Sequence, residues 1–133
     1  MWTIRDQSYV QRDRLAALGF CAGGTNVFDV AVNTDELDAA VIFYGTPPGA
    51  DQLANLQAPV LGNYGDLDRG TTGRVPALLT ALNDRQKSYE IHIYQGANHA
   101  FHNDTGPRYE PTAACDAWAK TVAFLSRHLN RAA

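Results

Sequence analysis

The run Asp38–Tyr44 (DAAVIFY) limits this chain more than any other stretch. It is too short to be a helix, and it sets Val41, Ile42, Phe43 and Tyr44 side by side. Successive side chains of a strand point to opposite faces, so a strand of this composition is apolar on both. Such strands belong to the interior of parallel sheets, where helices cover both sides. The rest of the chain supplies what that strand needs. Residues 14–20 (RLAALGF) read as a strand ending in a glycine turn, and 22–34 as a helix with Val27, Val30 and Ala31 on its apolar side. A helical turn over 50–56 and a strand over 59–64 (PVLGNY) follow. Val75, Leu78, Leu79 and Leu82 then recur at i, i+3, i+4 and i+7 in an amphipathic helix over 73–84. The segment 89–94 (YEIHIY) alternates as a less buried strand. A final helix over 111–129 opens at Pro111 and closes near Arg127, His128 and Arg131, whose charges suit a helix C-terminus.

Strand and helix alternate four times. That order predicts an α/β fold of about four parallel strands with right-handed helical crossovers. A length of 133 residues, with no repeat or linker, predicts one domain over 1–133. Eleven Lys and Arg against fourteen Asp and Glu leave a net charge of −3, without the basic excess that nucleic acid requires. No apolar run approaches the ~20 residues of a membrane helix. The opening MWTIRDQSYVQRDR is too polar for a secretion signal, so a cytoplasmic protein is expected. Two cysteines do not make a disulfide framework, and neither phosphate loop nor dinucleotide fingerprint occurs. Asp66–Gly70 lacks the later ligands of a calcium loop, and His99, His102 and Cys21 lack a four-ligand spacing. No cofactor and no metal are expected.

In parallel α/β proteins the chemistry sits at the carboxyl ends of the strands. The first strand leads into Gly19-Phe20-Cys21-Ala22-Gly23, the third into Gly65-Asp66-Leu67-Asp68, and the fourth into Gly96-Ala97-Asn98-His99-Ala100-Phe101-His102. A cysteine, a carboxylate and a histidine therefore meet at one edge from three loops. G-x-C-x-G has the form of a nucleophile elbow with cysteine in the serine position, a tight strand-to-helix turn in which side chains at Gly19 and Gly23 would collide. The helix that follows directs its first N–H groups at the site and favours negative charge there. Each element also has an ordinary reading. A cysteine after a strand is commonly core, Asp66 or Asp68 can cap a helix near residue 71, and a loop histidine is commonly solvated. Cys115, beside Ala114 and Trp118 in the last helix, reads as buried packing, and His92 as surface. Arg108 and Tyr109 either line a pocket or anchor the loop 103–109.

The run Gly19–Gly24 (GFCAGG), the YGDLD segment and above all Tyr89–Tyr109 (YEIHIYQGANHAFHNDTGPRY) resemble the dienelactone hydrolases, also called carboxymethylenebutenolidases. The resemblance extends from about residue 9 to residue 129. It implies an α/β-hydrolase fold, of which this chain matches only the C-terminal half, and hydrolysis of a small-molecule ester or lactone. By resemblance Cys21 is the nucleophile, Asp68 the orienting acid, His99 the general base, and the Ala22 N–H an oxyanion donor. Phe20, Phe101, Asn103 and Arg108 are candidates for the substrate pocket. In dienelactone hydrolases an arginine four residues after the histidine helps to bind the substrate carboxylate; here that position is Asn103.

The resemblance further implies that strands preceding the elbow are absent, with the loop that supplies a second oxyanion N–H. The expectations are weak or lost catalysis in the isolated chain and a sheet edge at 14–20 that seeks a partner. That partner is a second copy, giving a homodimer, or a polypeptide supplying the N-terminal half. Trp2, Ile4 and Tyr9 are expected to help cover the exposed surface. The alternative function is a non-catalytic relic acting as an interaction module.

Overall fold

The computed structural model describes residues 3–130. Its strands are β1 (Ala16–Phe20), β2 (Ala39–Phe43), β3 (Val60–Gly65) and β4 (Tyr89–Tyr94). Its helices are α1 (Ala22–Asn33), α2 (Arg69–Thr72), α3 (Val75–Asp84) and α4 (Pro111–Leu129), with 3₁₀ turns at Ile4–Asp6 and Gln52–Asn55. The four strands form one sheet in the order β1-β2-β3-β4. All three pairings are parallel, with Leu18 opposite Val41, Ile42 opposite Gly62, and Gly62 opposite Ile91.

Every residue of β2 is buried, as a strand apolar on both faces requires. Ala40 and Ile42 pack with Val60 and Tyr64 under Val27, Phe28 and Ala31 of α1 and Val75, Leu78 and Leu82 of α3. Ala39, Val41 and Phe43 face the other way, with Leu61, against Ala113, Ala114, Ala117 and Phe124 of α4. The result is three layers, with α1 and α3 on one side of the sheet and α4 on the other. β4 is an edge: Tyr89 and Ile91 pack against the first layer, while Ile93 is half-exposed.

Some boundaries and burials depart from the sequence reading. The helix expected over 73–84 is α3, which begins at Val75 with Pro76 in its first turn, and a separate short helix at Arg69–Thr72, capped by Asp68, precedes it. Val30 is exposed on the outer side of α1. His92 is half-buried rather than at the surface, 3.8 Å from Glu90. Ile4 and Tyr9 are exposed at 71% and 83% and cover nothing. The N-terminal segment is held instead by the Arg5 guanidinium, 3.3 Å from Glu36. Trp2 and Arg131 lie outside the described residues. No described helix is long and apolar enough to cross a membrane.

Candidate active site

Cys21 stands between the last residue of β1 and the first turn of α1, with φ 56° and ψ −122°. A non-glycine residue with this backbone stores strain that its surroundings must hold. The Cys21 N–H donates to the Phe43 carbonyl at 3.0 Å, and its own carbonyl accepts from Thr25 N–H at 3.2 Å. The turn is so tight that a Cβ on Gly19 would lie 2.2 Å from the Gly23 carbonyl oxygen. Gly23 differs from the expectation: a Cβ there meets nothing within 4 Å. Crowding in the elbow is thus one-sided, because Gly19 faces the helix backbone and Gly23 faces open space.

Asp68 follows β3 and uses its two oxygens separately. Oδ1 accepts the Thr71 N–H at 3.3 Å and caps α2, while Oδ2 lies 2.7 Å from Nδ1 of His99. The helix-cap reading of this aspartate therefore holds while the same carboxylate also meets His99. Asp66 is no helix cap; its Oδ1 accepts the Gly96 N–H at 2.7 Å and ties the β3 loop to the β4 loop. His99 leaves β4 in a loop pinned by Phe101, whose side chain is fully buried. The imidazole Nε2 lies 3.0 Å from Cys21 Sγ. The chain Asp68–His99–Cys21 is continuous, with Asp68 mostly shielded and the thiol exposed.

The thiol opens into a cleft of about 660 Å³. Phe20, Tyr44, His102, Tyr109 and Trp118 give it aromatic walls, and Asn103 and Asp104 sit among its lining residues. Of the pocket candidates from sequence, Phe20 and Asn103 line the cleft. Phe101 is buried beneath it, in contact with the rings of Phe43, Tyr44 and Tyr94, and Arg108 is not among the lining residues. Cys115 is exposed and lines the cleft, contrary to its reading as packing, because its side of α4 faces the strand ends rather than the sheet. Sequence reasoning also missed Tyr44 and Trp118, which come together only through the packing of α4 across β2. Burial, reinforced by the nearby Cys21, pushes the Tyr44 hydroxyl up to about 12, with a backbone hydrogen bond from His102 opposing, so Tyr44 stays protonated across the physiological range. Burial lowers the His102 imidazole below its ordinary value, with Asp104 opposing.

A parallel sheet whose first strand breaks into a strained elbow, with a carboxylate and a histidine delivered from later strand ends, is α/β-hydrolase architecture. Solved structures agree. A Klebsiella pneumoniae protein described as "Putative Dienelactone Hydrolase" superposes with a TM-score of 0.81 at 32% identity, covering 86% of this chain and 52% of that one. The sequence pattern of the dienelactone hydrolase family matches residues 2–129, and the chain belongs to that family. A "Putative carboxymethylenebutenolidase" of Saccharolobus solfataricus is 36% identical over 86% of this chain and 44% of its own length. A Bradyrhizobium protein, "Probable 2-oxo-3-(5-oxofuran-2-ylidene)propanoate lactonase", is 37% identical over 95% of this chain and 55% of its own. The chain spans about half the length of these curated relatives.

Proposed function

We propose that this chain hydrolyses carboxylic esters or lactones by covalent catalysis, with Cys21 as nucleophile, His99 as general base and acid, and Asp68 orienting the imidazole. One observation carries the reading: the unbroken relay of 2.7 Å from Asp68 to His99 and 3.0 Å from His99 to Cys21 Sγ. These are the distances proton transfer between a nucleophile, its base and an orienting acid requires. Family membership and the lactonase named among its relatives support the substrate class.

Cys21 sulfur attacks the carbonyl carbon as His99 takes the thiol proton, and the carbonyl oxygen becomes an oxyanion. The Ala22 N–H, the first in α1, has no carbonyl four residues earlier within the helix and in this proposal donates to that oxygen. Collapse expels the alcohol, which receives the proton from His99, and leaves a thioester on Cys21. Water, deprotonated by His99, attacks the thioester and releases the carboxylic acid with the thiol restored. Asp68 holds the Nδ1–H tautomer and supports the imidazolium formed in each half-reaction. Phe20 and Asn103 contact the acyl group, and Phe101 holds the His99 loop from below.

Residues 1–133 act in this proposal as one dienelactone-hydrolase-like unit, working with Ala22 as the donor at the elbow. Acylation and deacylation both pass through an oxyanion, and each oxyanion donor is worth about 10²–10³ in turnover, so with the elbow donor alone both half-reactions of the isolated chain are slow. The free edge of β1 pairs with a second copy in a homodimer. The free thiol suits a reducing compartment such as the cytoplasm. The decisive test is p-nitrophenyl acetate with intact-mass detection. Wild type gains one acetyl group and releases nitrophenolate while Cys21→Ala does neither; equal behaviour of the two refutes the proposal in favour of a non-catalytic module.

A further inference from the structure

The cleft beside Cys21 is built from rings in sequence. Trp118 lies 5.6 Å from His102, His102 5.4 Å from Phe20, Phe20 6.2 Å from Tyr44, and Tyr44 5.0 Å from His99, centroid to centroid. A path of aromatic faces and edges therefore runs from the mouth of the cleft to the imidazole that contacts the thiol. Phe20 stacks on Phe43 at 4.7 Å, yet Phe20 and Trp118 keep 37% and 46% of their surface open, which leaves ring surface for a ligand.

The charges are as one-sided as the shape. Among the described residues neither lysine nor arginine lines the cleft, and the one carboxylate among the lining residues is Asp104. Asp104 is exposed, which places its charge at the wet rim and not in the interior. Burial holds His102 below its ordinary value, so this wall is uncharged near neutrality. A substrate carboxylate entering here gives up hydration, meets no cation and passes a like charge. A flat uncharged group gives up little and gains stacking surface.

We propose that this cleft selects esters or lactones whose acyl portion is a flat, uncharged aromatic or conjugated group, and discriminates against acyl groups that carry a carboxylate. Phe20, His102 and Trp118 supply the stacking surface, and Asp104 supplies the repulsion. The inference rests on Cys21 being the nucleophile at the end of the ring path, but its test does not require turnover.

The probes are benzamide, benzoate and benzyltrimethylammonium, titrated into the ¹⁵N-labelled chain while the Trp118 indole and His102 ring signals are followed. Benzamide is expected to shift both, with benzoate weaker by at least about fivefold, the scale of one like-charge contact plus an uncompensated carboxylate. Asp104→Asn narrows that gap, and Trp118→Leu weakens benzamide while the conservative Trp118→Phe largely restores it. Benzoate binding as tightly as benzamide overturns the proposal. So does tighter binding of the ammonium, which would make Asp104 an attractive site for cations, and so does the absence of shifts with all three probes. Failure of Cys21 to acylate with p-nitrophenyl acetate refutes the hydrolytic reading separately, and leaves the ligand preference to be decided by the titration.

Discussion

Replacing Gly19 with alanine puts a methyl carbon 2.2 Å from the Gly23 carbonyl oxygen, 2.3 Å from its carbon and 2.8 Å from Gly24 N. All three obstacles are backbone, so no side chain can rotate away. Reaching an ordinary non-bonded distance requires β1 and the first turn of α1 to part by about 1 Å. Overpacking of this kind costs about 1–3 kcal/mol, which for 133 residues lowers the melting temperature by about 4–10 °C. The displacement falls on the residue whose Sγ sits 3.0 Å from His99 Nε2. A 1 Å error in a reacting group costs on the order of 10²-fold in rate. Gly23→Ala is the internal control, because a Cβ there meets nothing within 4 Å. Lying in the first turn of α1, it is expected to stabilise by about 0.5 kcal/mol. Thermal melts by circular dichroism, with acylation by p-nitrophenyl acetate followed by mass, measure both effects. A Gly19→Ala protein that melts with wild type, or a Gly23→Ala protein that falls as far as Gly19→Ala, refutes the one-sided crowding of the elbow.

Asp68→Asn keeps an oxygen for the Thr71 N–H but no longer holds the His99 tautomer; its acylation rate is expected to drop by on the order of 10⁴ with little change in melting temperature, and a rate within tenfold of wild type would contradict the assigned role. Cys21→Gly is expected to melt above Cys21→Ala, since glycine accepts φ 56° without strain; the reverse order would mean that the elbow is unstrained. His102 is lowered from 6.5 by burial. On acidification the unfolded chain therefore binds a proton there before the folded chain does, and stability present above pH 6.5 is lost as the pH falls below it toward the folded value. Melts from about pH 7.5 to about pH 5 should fall more steeply for wild type than for His102→Phe, and parallel slopes would dismiss this contribution. Light scattering at micromolar concentration should give the mass of a dimer; a monomer removes β1 as a pairing edge.

Much of the fold was legible because its signals are local. DAAVIFY specifies a strand buried on both faces without reference to anything distant, and β2 is that strand. The alternation of YEIHIY and the span from Pro111 to Leu129 mark β4 and α4 to the residue. Asp68 shows where local reasoning stops, since helix cap and histidine partner are both consistent with its sequence, and only the separate directions of its two oxygens show that it is both.

The order of the loops that leave β1, β3 and β4 is a property of the sequence, and parallel topology then brings Cys21, Asp68 and His99 to one edge. The walls around them are not. Tyr44 and Trp118 line one cleft because α4 packs across β2, and nothing near either residue announces the other. The same packing buries Phe101, which sequence had placed on the pocket wall, and opens Cys115, which it had placed inside. Periodicity tells which side of a helix is apolar, but not where along the sheet that helix comes to rest. Sequence therefore determined the elements and the meeting of Cys21, Asp68 and His99 that follows from their order, while tertiary packing alone decided the shape and charge of the cleft, because those depend on contacts between residues far apart in the chain.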